Sequence, residues 1–196
     1  MSIRRAVLED AGEILKIYGP YIEETTVTFE YEVPSLEEYQ ERMRRVMEKY
    51  PWLVWEEDGS ILGYAYAGDF RSRMAFSWDC ELSVYLRMDA RGRGIGTRLY
   101  ETLLEILKKQ GYVNAYALIC VPNVGSERLH DTFGFQEEGL YRGTGYKFHR
   151  WLDLSCRVKR LQDPKEPVTL PVRFEELVEQ SGPLASALWQ AGREEK

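Results

Sequence analysis

The most constraining feature of this chain is a short run with glycine at every second position, Arg91-Gly92-Arg93-Gly94-Ile95-Gly96. The run follows a strand-like segment, residues 81–86, and opens a helix-like segment, residues 97–109. Because glycines bury no side chain and weaken regular structure, so dense a cluster indicates a backbone that comes close to a ligand. Converging N–H groups at a helix N-terminus, with arginines beside them, are suited to binding a pyrophosphate.

The spacing of the run excludes two common nucleotide motifs. No Lys-Ser/Thr pair follows it, as a nucleoside triphosphate loop requires, and it lacks the Gly-x-Gly-x-x-Gly spacing of dinucleotide-binding folds. It does fit Arg/Gln-x-x-Gly-x-Gly/Ala, with Arg91, Gly94 and Gly96 at the defined positions. This pattern resembles the acetyl-coenzyme A signature of the GCN5-related N-acetyltransferases (GNATs). The alternative is a glycine-rich surface turn before a helix.

Composition limits the class of protein and of partner. The chain has 196 residues, of which 44% are hydrophobic, so it is long and apolar enough for one globular domain. A net charge of −6 argues against a nucleic-acid partner, whereas the local cluster of Arg91, Arg93 and Arg98 favours a small anion. The first residues lack an apolar secretory stretch and no run reaches membrane-spanning length. We therefore expect a cytoplasmic protein without a membrane partner.

The three cysteines, Cys80, Cys120 and Cys156, lie far apart and form no Cys-x-x-Cys pair. This spacing argues against a zinc site and against a disulfide framework. We therefore predict reduced cysteines and no metal site.

Hydrophobic periodicity and turn residues predict the order β-α-α-β-β-β-α-β-α-β-β, which is typical of an α/β fold with a mixed sheet. Gly19-Pro20 is expected to interrupt the first helix, and Ser35 to cap the second, with Glu38 completing a capping box. Asp58-Gly59 predicts a hairpin turn. These elements form one predicted domain over residues 1–161.

The composition shifts after Leu161, and residues 163–167 are typical of an extended linker. A helix over residues 174–189, broken at Gly182-Pro183, is predicted to follow. We interpret residues 162–196 as a linker and a C-terminal helical tail. Such a tail is a packing arm without chemistry, docked on the domain or on a partner subunit.

Transfer of an acetyl group from a thioester to an amine needs a base, because a protonated amine is not a nucleophile. Glu81 begins the strand that leads into the glycine run, and its side chain projects opposite to Leu82 and Val84. If partly buried, its carboxyl would have a raised pKa and could act as the base, directly or through water. The alternative is a solvent-exposed strand glutamate.

A second set of candidates follows the strand predicted over residues 115–121. Asn123 could bind a pantetheine amide, and Ser126 could cap the next short helix or touch the cofactor. His130 lies one turn beyond Ser126 and could carry a proton to the departing thiolate or from the amine. The alternative for His130 is a structural histidine.

The loop over residues 69–76 supplies candidates for binding the acceptor. Arg71 and Arg73 lie there among aromatic residues, and an arginine pairs bidentately with carboxylate or phosphinate oxygens. The alternative is a pair of surface arginines on a polar loop.

No side chain is identified as the donor to the oxyanion of the reaction. A backbone N–H between residues 84 and 86 would serve if a bulge splayed this strand away from residues 115–121. An unbroken ladder between the two strands would exclude this hypothesis.

Beyond the glycine run, six stretches resemble the phosphinothricin N-acetyltransferase branch of the GNATs. They span residues 21–30, 50–54, 63–68, 81–85, 129–135 and 145–153. The resemblance covers residues 2–160 and implies a GNAT fold, in which helices flank a central twisted mixed β-sheet, here with an extra C-terminal tail. It also implies acetyl-CoA as co-substrate and a homodimer with the late strands near its two-fold axis.

The resemblance also assigns roles to single positions. It supports Glu81 as the base and places His130 where many relatives carry a tyrosine acid. The residues and the resemblance together predict an acetyl-CoA site of Val84, Tyr85, Leu86, Arg91, Gly92, Arg93, Gly94, Ile95, Gly96, Thr97, Asn123, Ser126 and Thr132. The acceptor pocket is predicted to contain Phe29, Arg71, Arg73, Met74, Ala75 and Phe76.

We therefore expect an acetyl-CoA-dependent N-acetyltransferase that modifies the α-amino group of a small amino-acid analogue. Phosphinothricin, methionine sulfone and methionine sulfoximine are the candidate acceptors, and direct transfer in a ternary complex is the expected route. Cys80 beside Glu81 leaves a route through a covalent intermediate open. The alternatives are acetylation of a protein N-terminus or another amine such as a polyamine, and a non-catalytic acetyl-CoA sensor.

Overall fold

A seven-stranded sheet runs through the molecule in the strand order β1-β2-β3-β4-β5-β7-β6. The computed structural model describes residues 2–181, and over this part of the chain the order of elements matches the sequence prediction. Neighbouring strands are antiparallel except β4 and β5, which are parallel, so the sheet is mixed as predicted. The strands are β1 (Ser2–Arg5), β2 (Trp52–Glu57), β3 (Ser60–Asp69), β4 (Asp79–Leu86), β5 (Asn114–Val121), β6 (Gln136–Lys147) and β7 (Arg150–Arg160).

Helices flank this sheet, as the GNAT resemblance implies. They are α1 (Ala11–Glu24), α2 (Leu36–Met47), α3 (Ile95–Gln110), α4 (Val124–Thr132) and α5 (Phe174–Ser181). The capping box of α2 is confirmed, because the Ser35 hydroxyl accepts from the Glu38 N–H while the Glu38 carboxylate accepts from the Ser35 N–H. Within residues 2–181, no helix combines the length and the apolar character needed to cross a membrane.

The prediction that Gly19-Pro20 interrupts the first helix is wrong, because α1 continues through Pro20 to Glu24. A proline inside a helix costs about 3 kcal/mol. Tyr21 and Ile22 lie beyond the proline and are almost completely buried, like the apolar residues before it. Burial of large apolar side chains is worth about 1.5–3 kcal/mol each, so tertiary packing outweighs the local penalty.

The sheet separates two hydrophobic cores, one under α3 and one under α1 and α2. The alternation predicted for β4 is confirmed, since Leu82 belongs to the core under α3 while Tyr85 packs against the opposite one. The glycine run therefore follows a strand that is held by packing on both of its faces.

The parallel pairing of β4 with β5 covers only three residue pairs and ends at Glu81 and Tyr116. Beyond this point β4 stays paired with β3 up to Leu86, and β5 stays paired with β7 up to Val121. The two strands thus splay apart, as the hypothesis of a free backbone donor requires. The predicted bulge is absent, because β4 pairs with β3 without a register shift. The two strands separate because β4 stays paired with β3 and β5 stays paired with β7.

The tail docks on the domain as far as the structure describes it. The Val172 N–H donates to the Gln110 carbonyl at 2.8 Å, and Phe174 is buried in the core under α3. Residues 162–173 form no helix or strand, and their role as a linker stays a prediction. The predicted break at Gly182-Pro183 lies outside the described residues, and the domain boundary at residue 161 stays a prediction.

Candidate active site

A cleft opens where β4 and β5 separate. Its walls are residues 82–85 of β4, residues 117–120 of β5 and the first turns of α4. Val27, from the loop between α1 and α2, and Tyr100, from α3, complete the lining. The cleft thus runs from the end of the β4–β5 ladder toward the glycine run, which connects β4 to α3.

The glycine run is an exposed turn at the N-terminus of α3. Gly92 and Gly94 adopt the left-handed conformation, with φ of 74° and 78°. A Cβ built on either residue meets no atom within 4 Å, so the turn is open to a ligand. The first N–H groups of α3 have no intrahelical partner and carry the positive end of the helix dipole, which suits a diphosphate.

The end of the run has a packing role. Ile95 and Gly96 are buried, and a Cβ on Gly96 would lie 3.4 Å from the Leu86 side chain. Gly96 therefore allows α3 to approach β4 closely, while Thr97 on the first turn of the helix is exposed. The exposed side chains and glycines of the run are thus residues 91–94 and 97, while Ile95 and Gly96 pack inward.

The two arginines of the run have different surroundings. Arg91 places its guanidinium carbon 5.1 Å from the ring centroid of Tyr21. Arg93 donates to both carboxylate oxygens of Glu57 at 2.8 Å, so this guanidinium already has a counter-charge. No carboxylate of residues 2–181 forms an ion pair with Arg91, which leaves it as the better-placed cation for a phosphate.

The backbone of β4 offers one donor to the cleft. The Tyr21 hydroxyl donates to the Leu86 carbonyl at 2.7 Å and accepts from the Leu86 N–H at 3.2 Å, so this amide is engaged. Backbone N–H groups of successive residues in a strand point toward opposite neighbouring strands. The Val84 N–H therefore points toward β5, as the Leu86 N–H does. Because the ladder ends at Glu81, Val84 has no partner on β5. The sequence reasoning had not singled out the Tyr21 hydroxyl.

Glu81 occupies the last paired position before the strands separate, opposite Tyr116. No residue of the described chain donates a hydrogen bond to its carboxyl. Burial without a compensating partner raises the pKa of Glu81 to about 7. A carboxyl with this pKa is poised to accept a proton near neutral pH.

His130 is 4% exposed, and both of its ring nitrogens have partners. Its Nδ1 lies 2.7 Å from the Ser126 carbonyl, which can only accept, so Nδ1 carries the proton. Its Nε2 then accepts from the Tyr100 hydroxyl at 2.7 Å. Burial also lowers the pKa of His130, which favours the neutral ring. The geometry thus favours the structural alternative, a histidine that fixes α4, over the predicted proton carrier.

Asn123 is the N-cap of α4. The sequence had suggested Ser126 as a possible cap, and the structure does not place it there. The Asn123 side-chain oxygen accepts from the Ser126 N–H at 3.2 Å, while no residue from 2 to 181 accepts from its amide nitrogen. Both residues line the cleft. Thr132 lies at the other end of α4, where its hydroxyl donates to the Arg128 carbonyl, and it is not part of the cleft wall.

The loop between β3 and β4 connects Arg71, through aromatic contacts, to the residue opposite Glu81. The ring of Phe70 stacks on Tyr116, which pairs with Glu81, with centroids 3.8 Å apart. The Arg71 guanidinium carbon lies 5.2 Å from the ring centroid of Phe70 and 5.4 Å from that of Phe76. Arg71 thus contacts Phe70, and Phe70 in turn stacks on Tyr116, the residue opposite Glu81.

Other parts of this loop are exposed or anchored. Arg73, Met74 and Ala75 are exposed, and Met74 reaches 74%. At the ends of the loop, the Asp69 carboxylate accepts from Lys49 and Tyr50, and the Trp78 indole donates to the Thr169 carbonyl in the tail. The anchored ends hold the loop over β5, whereas its tip is free to contact an acceptor.

Phe29 comes from the loop between α1 and α2 and packs on β6. A Cβ built on Gly145 would lie 2.5 Å from the Phe29 ring, so the two residues are in direct contact. Phe29 therefore lies against β6, whereas Arg71 lies on the loop whose Phe70 stacks on Tyr116 of β5. That these residues together form the acceptor pocket stays a prediction.

The cysteines are all free and buried. Cys80 precedes Glu81, and its Sγ lies 3.6 Å from the Asn114 carbonyl. Burial raises the pKa of the Cys80 thiol far above its usual value, so the thiolate needed for a covalent route is strongly disfavoured. Among residues 2–181, no three His, Cys, Asp or Glu side chains are grouped so that they could hold a metal ion.

Comparison with known proteins agrees with this arrangement. The family model described as "Acetyltransferase (GNAT) domain" matches residues 3–155. A phosphinothricin N-acetyltransferase of Streptomyces viridochromogenes is 35% identical over 173 residues, which are 88% of this chain and 93% of that protein. An L-methionine sulfoximine/L-methionine sulfone acetyltransferase of Pseudomonas paraeruginosa is 38% identical over 156 residues, covering 79% and 91%.

A solved structure shares the fold over most of the chain. The crystal structure of a GNAT superfamily phosphinothricin acetyltransferase from Sinorhizobium meliloti, in complex with acetyl-CoA, superposes with a TM-score of 0.82. It is 33% identical and covers 88% of this chain and 97% of that one. The family match, these similarities and the splayed strands with their glycine turn lead to one conclusion: this chain is an N-acetyltransferase of the GNAT family, which uses acetyl-CoA.

Proposed function

We propose that this enzyme acetylates the α-amino group of a small amino-acid analogue directly from acetyl-CoA. One observation carries the proposal: Glu81, with a pKa of about 7, lies where β4 and β5 part, at the end of the cleft. Along the chain it stands between the loop that carries Arg71 and the glycine turn, and the proposal gives these three the roles of acceptor-binding cation, base and anion-binding turn.

In the proposed reaction, Glu81 and the Val84 N–H have separate roles. Acetyl-CoA supplies an acetyl group activated as a thioester. The Glu81 carboxylate removes a proton from the acceptor ammonium, and the free amine attacks the thioester carbonyl. The Val84 N–H is oriented to donate to the carbonyl oxygen as charge develops on it. The C–S bond breaks as the C–N bond forms, and the proton released from the nitrogen neutralises the thiolate.

The acceptor is proposed from charge and from the relatives. An α-amino acid presents a carboxylate that suits the Arg71 guanidinium, whereas a polyamine would prefer an acidic pocket. The similar proteins named above act, by their names, on phosphinothricin and on methionine sulfoximine or sulfone. These compounds share an amine, a carboxylate and a tetrahedral polar head.

The state of the cysteines supports direct transfer in a ternary complex. Cys80, the thiol nearest to Glu81 in sequence, is fully buried and held as a thiol by its surroundings. A buried thiol that is held protonated is a poor carrier of an acetyl intermediate. This favours attack of the amine on acetyl-CoA itself.

We further propose a homodimer formed through the β6–β7 hairpin, as the family resemblance suggests. Tyr146, Phe148 and Trp151 are 47%, 47% and 69% exposed in one chain, which is unusual for large aromatic side chains clustered on a hairpin. Light scattering of wild type and Trp151→Ser tests this. A dimer weakened by the substitution supports the proposal, and a monomeric wild type contradicts it.

Release of coenzyme A thiol tests the function directly. We expect turnover of acetyl-CoA with methionine sulfone, methionine sulfoximine or phosphinothricin, and loss of turnover in Glu81→Gln. Turnover with polyamines or with peptide N-termini alone would overturn the proposed acceptor. Binding of acetyl-CoA without turnover across all these amines would favour a sensor.

A further inference from the structure

Lys147, the last residue of β6, is a buried lysine. Its residue exposure is 3%, although lysines are almost never fully buried without a counter-charge. No carboxylate within residues 2–181 forms an ion pair with it. Since burial of a cation costs free energy, its retention needs a structural or functional reason.

The partners of Lys147 belong to the loop between α1 and α2. Its Nζ donates to the carbonyl of Thr25 at 3.0 Å and to the carbonyl of Thr28 at 2.9 Å. Thr25 is the C-cap of α1, so the ammonium also faces the negative end of the helix dipole. The Lys147 side chain thus forms hydrogen bonds from β6 to two backbone carbonyls of a loop that is distant in sequence.

The residues before Lys147 hold the same loop. Phe29 packs on Gly145 so tightly that a Cβ there would lie 2.5 Å from the ring, and the Tyr31 hydroxyl donates to the Tyr146 carbonyl. Consecutive residues of β6 therefore contact the loop at Thr25, Thr28, Phe29 and Tyr31. We call this set of contacts the β6 clasp.

The clasped loop contributes Val27 to the lining of the cleft. Val27 lies between the two carbonyls that accept from Lys147, and it lines the cleft opposite β4 and β5. Phe29, two residues later, is the aromatic residue assigned to the acceptor pocket. A displacement of this loop would therefore change the acceptor side and leave the glycine turn untouched.

We propose that Lys147 is a positioning residue that sets the affinity for the acceptor by fixing the loop with Val27 and Phe29 against β6. The proposal rests on the proposed function of the cleft and deepens it. Lys147 touches no reacting atom; it acts through two backbone carbonyls. Gly145 helps to fix the same loop, because only a residue without a side chain lets Phe29 reach this position.

The first test replaces the ammonium and retains most of the side-chain volume. Lys147→Met removes two charge-assisted hydrogen bonds, and we expect the KM for methionine sulfone to rise about tenfold. The KM for acetyl-CoA and the kcat are expected to stay within about twofold. The matched control is Lys159→Met, which removes a lysine that donates to the Phe133 carbonyl at 2.7 Å, away from the clasped loop.

The second test leaves Lys147 in place and is decisive if Lys147→Met does not fold. Gly145→Ala forces the Phe29 ring to move, and we expect the same selective rise in the acceptor KM. Gly139→Ala is the control on the same strand, because a Cβ there meets no atom within 4 Å. An unchanged acceptor KM in Gly145→Ala, or an equal rise for acetyl-CoA, overturns the proposal.

Hydrogen exchange separates this proposal from the proposed function. In Lys147→Met, the amides of residues 25–31 are expected to exchange faster, while those of residues 95–110 keep their protection. Unchanged exchange over residues 25–31 overturns the clasp. If wild type acetylates no amino acid at all, the proposed function fails, and the exchange result still decides whether Lys147 holds the loop.

Discussion

The two sides of the cleft are built in different ways. The cofactor side is one continuous segment, in which β4, the glycine turn and α3 follow each other along the chain. The acceptor side brings together residues 25–31, residues 69–78 and the end of β6, which are far apart in sequence. The first is set by local backbone geometry and the second by long-range contacts.

This difference predicts that substitutions on the two sides of the cleft affect different substrates. A turn with φ near 75° at a helix N-terminus has a local geometry that suits a diphosphate. The acceptor side depends on the Phe70–Tyr116 stack and the β6 clasp, so small changes in distant residues alter its shape. Substitutions should therefore separate the two affinities cleanly, and the following predictions test that separation.

The largest effect is expected at Glu81, where the two sides meet. Glu81→Gln has the same shape but cannot accept a proton, so kcat should fall about 10²–10³-fold with both KM values nearly unchanged. Steady-state kinetics with each substrate varied in turn provides the measurement. A variant with near wild-type kcat would remove Glu81 as the base.

The pH dependence gives an independent check on Glu81. Because the carboxylate is the active form, wild-type kcat/KM should rise with pH around a pKa of about 7, and this step should vanish in Glu81→Gln. The raised pKa stabilises the fold at pH below the ordinary value of 4.5, and this contribution is lost as pH rises through about 7. Glu81→Gln should therefore melt above wild type at pH 8, and by a smaller margin at pH 5.

The next effect concerns the cofactor side alone. Gly94→Val puts a branched side chain at φ 78°, on the open side of the turn, and the KM for acetyl-CoA should rise about 100-fold. The acceptor KM should stay constant. Gly111→Val is the control, because Gly111 has φ 100° at the opposite end of α3 and carries similar strain. Equal kinetic losses in both variants would show that strain, not the ligand contact, is responsible.

A smaller effect is expected on the acceptor side. Arg71→Ala removes a charge-assisted pairing with the acceptor carboxylate, so the KM for methionine sulfone should rise about 10–30-fold. Acetyl-CoA affinity should not change. Arg160→Ala, at an exposed arginine of β7, serves as the control. If Arg71→Ala weakens both substrates equally, Arg71 does not contact the acceptor.

The smallest effect distinguishes the two arginines of the glycine run. Arg91→Ala should raise the KM for acetyl-CoA about 3–10-fold, since no carboxylate of residues 2–181 pairs with this guanidinium. Arg93→Ala should change it by only about twofold, because the guanidinium is paired with Glu57. Isothermal titration with coenzyme A compares the two variants. A larger loss for Arg93 would mean that its ion pair breaks on binding.

The outcome for individual residues shows how far sequence reasoning reaches. The capping box at Ser35 and the hairpin at Asp58-Gly59 depend on neighbouring residues, and both were predicted correctly. Pro20 was misjudged, because burial of residues on both sides of it decided its conformation. His130 has the right type and position for catalysis, but its Tyr100 partner comes from α3, and no local pattern announces that contact.

The sequence by itself determined the order of elements, the glycine turn and the place of Glu81 on the strand before it, because these depend on residues close together in the chain. The tertiary structure decided that β4 and β5 separate after Glu81, that burial raises its pKa, and that Lys147 holds the loop of Phe29. Strand pairing, desolvation and buried hydrogen bonds all arise from distant segments meeting in space. For that reason sequence reasoning reached the elements and the turn of the proposed cofactor side, whereas for the proposed acceptor side it reached only the residue types.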